Sequence, residues 1–373
     1  SISSWPACWS GGRKDCSRQM PDKSPPHSPG AHWFAAAWQT LTALALIGGF
    51  ALWAHLSGEA FYVTLATRIA ILAIAGIGLN LALGLGGMVS FGHAAFFGLG
   101  GYAAGIALHH AFEGSDVFTW PITLPGSEAL LTGIGAAIVV GLLAALLIGA
   151  FSLRTTGVYF IMITLAFAQM IYYFAISFPT YGGEDGLPLY VRATLAGRDI
   201  TGEFDYFLVA FVTLVLVLIV TGTIMRSHFG AALNGIKESA TRMQAIGIAP
   251  FRHRLIAFAV SAGITAIAGA LYVHLDGFVS PSNLSWHRSG ELLVMVILGG
   301  VNRLAGPVFG AAALIGMETL LGDYTERWQF FLGLTLLGIV LFARGGLAGL
   351  FDAVAGFVRG WRTADDEREG RDD

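Results

Sequence analysis

Apolar residues in this chain run in long blocks rather than in short alternations. Ten hydrophobic segments stand out, at about 33–55, 61–83, 90–110, 129–151, 157–178, 206–225, 255–275, 290–301, 305–321 and 329–343. Most approach or exceed the roughly 18 to 20 apolar residues a helix needs to cross a bilayer. The eighth is too short to span alone. It predicts a tilted, broken or half-spanning element, which is tolerated where backbone is buried in protein. The two-residue alternation of an outer-membrane barrel is not the dominant pattern. The expected fold is an all-α polytopic membrane protein of about ten hydrophobic segments, some broken or half-spanning.

Composition agrees. Mean hydropathy is +0.68, and only 12% of residues are charged, against about 25% in soluble domains. A net charge of −3 gives no reason to expect a nucleic-acid partner. Residues 1–32 mix Ser, Pro, Gly and basic residues without periodicity and read as a disordered cytoplasmic segment. Cys8 and Cys16 lie there, away from any histidine cluster, and read as incidental. Residues 33–347 form the membrane domain, and 348–373 a charged cytoplasmic tail.

Basic residues orient the spans. Arg13, Lys14, Arg18 and Lys23 precede the first segment, and Arg154 separates the fourth and fifth. Arg226, Lys237, Arg242, Arg252 and Arg254 fill the loop after the sixth. Arg303 follows the eighth, and Arg344, Arg359 and Arg362 follow the last. With ten spans all of these fall on one side, whereas Arg192, Arg198, Arg288 and Arg327 are exceptions. The bias places both termini in the cytoplasm.

The longest basic loop, 226–254, contains Ile236, Ala240, Met243 and Ile246 at three- and four-residue spacing. That spacing predicts a short amphipathic helix, ended by Gly247 and barred from continuing by Pro250. Its apolar stripe needs either a lipid surface or a groove on another protein. On the acidic side, GGEDG at 182–186 lacks the alternating oxygen ligands of a calcium loop and reads as a turn.

Candidate functional groups are polar side chains within the segments, since these are costly in a membrane. Asn80, His93, Thr164 and Gln169 qualify; their two readings are helix-to-helix hydrogen bonding and lining of a path. Glu291 and Glu318 sit near segment ends, and Arg68 is placed to snorkel. No acid stands convincingly mid-span. A self-powered ion-coupled carrier normally needs one, so the pattern favours a subunit powered from outside. There is no GxxxxGK[ST], HExxH or Gly-x-Ser-x-Gly motif, so nothing marks an enzyme.

The stretch GLGGMVSFGHAAFFGLGGYAAG, 84–105, holds eight glycines. Its first part predicts a turn between the second and third spans, with Ser90 capping the next helix. Its second part sets Gly98, Gly101 and Gly105 on a small-residue surface suited to close helix contact. Gly299 and Gly300, in VILGGVNRLAGPVFGAAALIG, repeat the device.

Together with RTTGVYFIMITLAFAQMIYY at 154–173, TYGGEDGL at 180–187, IKESATRMQAIGI at 236–248, FAVSAGITAIAGALYVHLDGFVSP at 258–281 and ELLVMVILGGVNRLAGPVFGA at 291–311, the order of these segments resembles LivM-type permeases of branched-chain amino-acid ABC importers. The resemblance covers about residues 60–347. It implies a pathway shared with a second, related permease subunit in the bacterial inner membrane. It also implies two cytoplasmic ATPases, which use the ATP and Mg²⁺, and a periplasmic solute-binding protein. This chain then binds no cofactor of its own. By the same resemblance 236–247 is the coupling segment, with Glu238, Ala240 and Gly247 nearest the importer Glu-Ala-Ala…Gly pattern. Ser239 departs from that pattern, as does the longer spacing to Gly247. The alternative function is a stand-alone secondary transporter or channel.

Overall fold

A computed structural model describes residues 29–118, 124–190, 193–195, 198–200, 202–322, 327–342 and 345–350. The leading segment before residue 29 and the tail from 351 lie outside these residues.

The elements are α1 (Pro29–Leu56), α2 (Ala60–Asn80), α3 (His93–Glu113), β1 (Asp116–Phe118), β2 (Leu124–Pro125), α4 (Leu130–Ser152) and α5 (Val158–Ile176). They continue with β3 (Leu187–Pro188), β4 (Thr194–Leu195), β5 (Arg198–Asp199), α6 (Glu203–Arg226), α7 (His228–Glu238), α8 (Ala240–Ala245) and α9 (Pro250–Asp276). The last are β6 (Phe278–Val279), α10 (Trp286–Gly299), α11 (Gly306–Gly322) and α12 (Trp328–Phe342). A π-helical turn, Leu81–Leu85, extends α2.

Among the described residues six helices are long and apolar enough to cross a membrane: α1, α2 with its extension, α4, α5, α6 and α9. The third expected segment forms α3, of 21 residues, but starts at His93 rather than 90. The eighth forms α10, of 14 residues, the half-length one of the alternatives its sequence left open. The remaining two form α11 and α12, of 17 and 15 residues.

The core is a pair of helices. The window spanning α2 is 89% buried and that of α9 is 83% buried, against 28% for α4 and 17% for α5. Most other helices wrap this pair: α3 and α4 lie on α9, while α1, α6, α10 and α11 lie on α2, and α5 and α12 pack outside them. Residue size explains the arrangement. Gly133, Ala137, Gly141, Ala145 and Gly149 recur every fourth residue on α4 and are buried. The opposite face presents Leu131, Val139, Leu143, Leu147 and Phe151, all exposed. Helices in lipid gain little from hiding apolar surface from one another, so small residues that allow close contact set the packed face.

The α3–α9 contact is backbone to backbone. A Cβ at Gly269 would stand 1.8 Å from the Phe97 carbonyl oxygen, and one at Gly100 would stand 2.1 Å from that of Ala266. The two backbones therefore touch directly. At the far end of α9 the chain pairs β6 with β3 in antiparallel register, Leu187 opposite Val279. The GGEDG stretch before β3 is a turn, with Gly182, Gly183 and Gly186 all at positive φ.

Candidate coupling and pathway sites

At the end of α2 the helix widens into the π turn and then stops. The Met88 amide bonds back to the Ala82 carbonyl, and the Gly84 carbonyl accepts instead from Lys237 Nζ at 2.8 Å. The aliphatic stem of Lys237 lies over Gly87, where an added Cβ would meet Cγ at 3.0 Å. Gly87 has φ +64°, a conformation suited to glycine.

Asn80 ties the same joint to the α10–α11 loop. Its Nδ2 donates to the Arg303 carbonyl at 2.9 Å, and its Oδ1 accepts from the Asn302 amide at 3.0 Å. That loop turns tightly, with φ +115° at Gly300 and +68° at Asn302. Gly299 lets α10 meet α11, since its Cβ would stand 1.8 Å from the Gly306 carbonyl. A cavity of about 110 Å³ at this end is lined by Gly86, Gly87, Thr155, Thr156 and Arg254, among others. The loops that carry Arg154, Lys237, Arg254 and Arg303 thus gather at one end of the bundle.

The expected amphipathic helix over 236–247 is instead two helices. Ser239 is extended at φ −158° and closes α7, while its hydroxyl accepts from the Arg242 amide to start α8. A serine that can cap competes with its own place inside a helix. The stripe is divided accordingly. Ile236 is buried at 1% exposure in α7, whereas Ile246, just past α8, is 70% exposed. Met243 folds onto Gly235, whose Cβ would meet its sulfur at 2.6 Å, and Ala240 is half-buried. Glu238 lies 4.0 Å from Arg242 in an exposed pair. Gly247, at φ +87°, ends the unit as its sequence position implied.

A polar joint fixes the start of α3. His93 is fully buried, with Nε2 2.7 Å from Ser261 Oγ on α9. Ser261 donates its own hydroxyl to the Gly78 carbonyl. It therefore accepts from His93 Nε2–H, and one hydroxyl links α2, α3 and α9. Ser289 on α10 donates to the Phe91 carbonyl at 2.6 Å and accepts from the Ala94 amide at 3.0 Å. Thr164 on α5 accepts from the Phe91 amide at 3.3 Å.

Ser90 does not cap a helix starting beside it. Its hydroxyl instead accepts from the Gly92 amide at 3.1 Å, within a seven-residue irregular approach, 86–92, that precedes α3. Ser289 and Ser261, both remote in sequence, anchor the helix start that Ser90 does not. Gln169 Oε1, farther along α5, is buried without a hydrogen-bond partner among the described residues. Arg68 and Glu318 pair with each other at 3.5 Å.

Of the three spaced glycines only Gly101 meets another helix; Gly105 meets β6 and Gly98 the turn before α10. Gly101 faces Val273, Gly105 faces Val279 and Gly98 faces Leu284, each with an added Cβ at 2.6 Å or less. The segment from Gly277 to Ser285 therefore descends along α3 from the level of Gly105 to that of Gly98. Sequence reasoning missed Gly100, Gly269, Ser261, Ser289 and Lys237. The small-residue run SAGITAIAG, 261–269, was the available signal for the α9 face.

Comparison with known proteins places these features in a family. The model of the branched-chain amino acid transport system permease component matches residues 61–341. The high-affinity branched-chain amino acid transport permease proteins LivM of Salmonella typhimurium and Escherichia coli are each 27% identical over 309 residues, covering 76% of this chain and 69% of the relative. The autoinducer 2 import permease protein LsrC of an Enterobacter species is 29% identical over 136 residues, covering 34% of this chain and 40% of its own length. No solved structure matches. The family match runs from the first turn of α2 almost to the end of α12, and the chain belongs to the branched-chain amino acid transport permease family.

Proposed function

We propose that this chain is one of two permease subunits of an ATP-driven importer for branched-chain amino acids or a related small solute. The end bearing α7 and α8 faces the cytoplasm, as do both termini. That orientation rests on the basic loops collected at one end of the bundle. Two ATPase subunits dock against the coupling helices of the two permease subunits, α7–α8 in this chain, and use the ATP and Mg²⁺, and a solute-binding protein delivers the solute at the opposite end of the inner-membrane complex.

The observation that carries this reading is the Lys237 bridge to the Gly84 carbonyl. It joins the docking unit to the place where α2 breaks, and Asn80 joins that place to the α10–α11 loop. Movement of α7–α8 on ATPase closure therefore displaces the ends of α2 and α10 together. Such movement shifts access only if the ATP state favours one arrangement over the other.

Ile246 is the exposed apolar anchor for an ATPase groove. In the assembled complex, Ile246→Asp is expected to abolish solute-stimulated ATP hydrolysis and uptake in proteoliposomes while both permease subunits still co-purify. Unchanged coupled uptake by that variant would refute the docking role. Uptake by this chain alone, driven by an ion gradient without ATP, would refute the importer reading.

A further inference from the structure

α10 begins partway along the bundle rather than at its end. Ser289, in its first turn, bonds to Phe91 and Ala94 at the start of α3, and α3 itself starts beside Ser261, near the middle of the 27-residue α9. Arg288 precedes Ser289, and its side chain extends from this level toward the Tyr272 end of α9. Its guanidinium sits over the Phe97 ring, 5.3 Å from the centroid, and over the Tyr272 ring at 4.9 Å. Tyr272 is four residues before the end of α9, so the cation lies about 6 Å below that end at 1.5 Å per residue. Nη1 bonds Glu291 Oε2 at 2.8 Å, while Nε and Nη2 have no hydrogen-bond acceptor among the described residues.

The pair is not hidden. The Arg288 side chain is 13% exposed but that of Glu291 is 46% exposed. Trp286 and His287 beside them are exposed as well. An open carboxylate is costly against lipid, which favours water or a solute path along this face of α10.

We propose that Arg288 and Glu291 form a recognition site for the zwitterionic head of an α-amino acid on a solute path over the exposed face of α10. This rests on the importer reading and narrows its substrate class to amino acids, against neutral amides or sugar-like solutes. The chemistry is complementary. A guanidinium offers several N–H donors to a carboxylate, which accepts two in parallel. The Glu291 carboxylate receives the ammonium group. Phe97 and Tyr272 hold the guanidinium in place through their ring faces. The Arg288–Glu291 bond closes the site when no solute is present, and solute exchanges one ion pair for two.

The test uses the complete permease–ATPase complex in proteoliposomes with its solute-binding protein and radiolabelled leucine. Glu291→Gln keeps shape and an acceptor but loses charge. It is expected to assemble with its partner subunits as wild type does, yet to lower leucine uptake by roughly tenfold or more. Arg288→Gln is expected to do the same; if it fails to assemble, Glu291→Gln decides. Wild-type uptake by Glu291→Gln, or a loss that merely tracks poorer assembly, overturns the site but leaves the importer reading intact. A wild-type complex that imports no leucine under ATP overturns both. In a second measurement, His287→Cys in a background lacking Cys8 and Cys16 is expected to react with a membrane-impermeant thiol reagent and to be protected by leucine. No reaction, or reaction without protection, overturns the site.

Discussion

Gly269→Ala tests the packing of α3 against α9 with the smallest possible change. The added Cβ would stand 1.8 Å from the Phe97 carbonyl oxygen. Ordinary contact begins near 3.4 Å, so the helices must part by about 1.6 Å, the difference between the two distances. The obstacle is backbone, which cannot rotate aside as a side chain can. Overpacking of this kind costs about 1–3 kcal/mol, and the wall of backbone puts this site at the upper end. Parting these helices also pulls Phe97 and His93 away from Tyr272 and Ser261, loosening the start of α3. The comparison is Gly135→Ala on α4, where nothing lies within 4 Å of the added atom. There the helix gains about 0.8–1 kcal/mol in propensity. Heating each purified complex in detergent and following loss of the monodisperse species should show Gly269→Ala failing well below wild type and Gly135→Ala at or above it. If Gly269→Ala melts with wild type, direct backbone contact between α3 and α9 is wrong.

Asn80→Ala removes both bonds to the α10–α11 loop and leaves the Asn302 amide unpartnered. The expected cost is about 1–3 kcal/mol, read as faster amide hydrogen exchange over 300–305; unchanged protection there would show that the loop holds itself. Lys237→Met keeps the aliphatic stem over Gly87 but loses the bond to Gly84. Basal ATP hydrolysis by the assembled complex should persist while uptake per ATP falls several-fold; an unchanged ratio would mean that Lys237 does not transmit movement.

The hydrophobic pattern by itself determined that the chain is a helical membrane protein, because crossing a bilayer demands a long apolar run whatever its neighbours. It also placed the short α10, the turn at Gly182–Gly186 and the stop at Gly247, each of which depends on residues adjacent in sequence. It could not decide which faces meet. In lipid both the packed and the outer face of a helix are apolar, so periodicity carries little information. On α5 only Phe160, Thr164 and Ala168 are buried among many equally apolar residues. Only the tertiary structure paired Gly100 and Gly269 with opposing backbone and His93 with Ser261, 168 positions away. It also overrode a regular spacing at Ser239, where a local cap was worth more than one continuous stripe. The ion pair of Arg288 and Glu291 was visible as two letters three apart. That α10 starts partway along the bundle follows from Ser289 bonding at the start of α3, a contact between residues nearly two hundred positions apart.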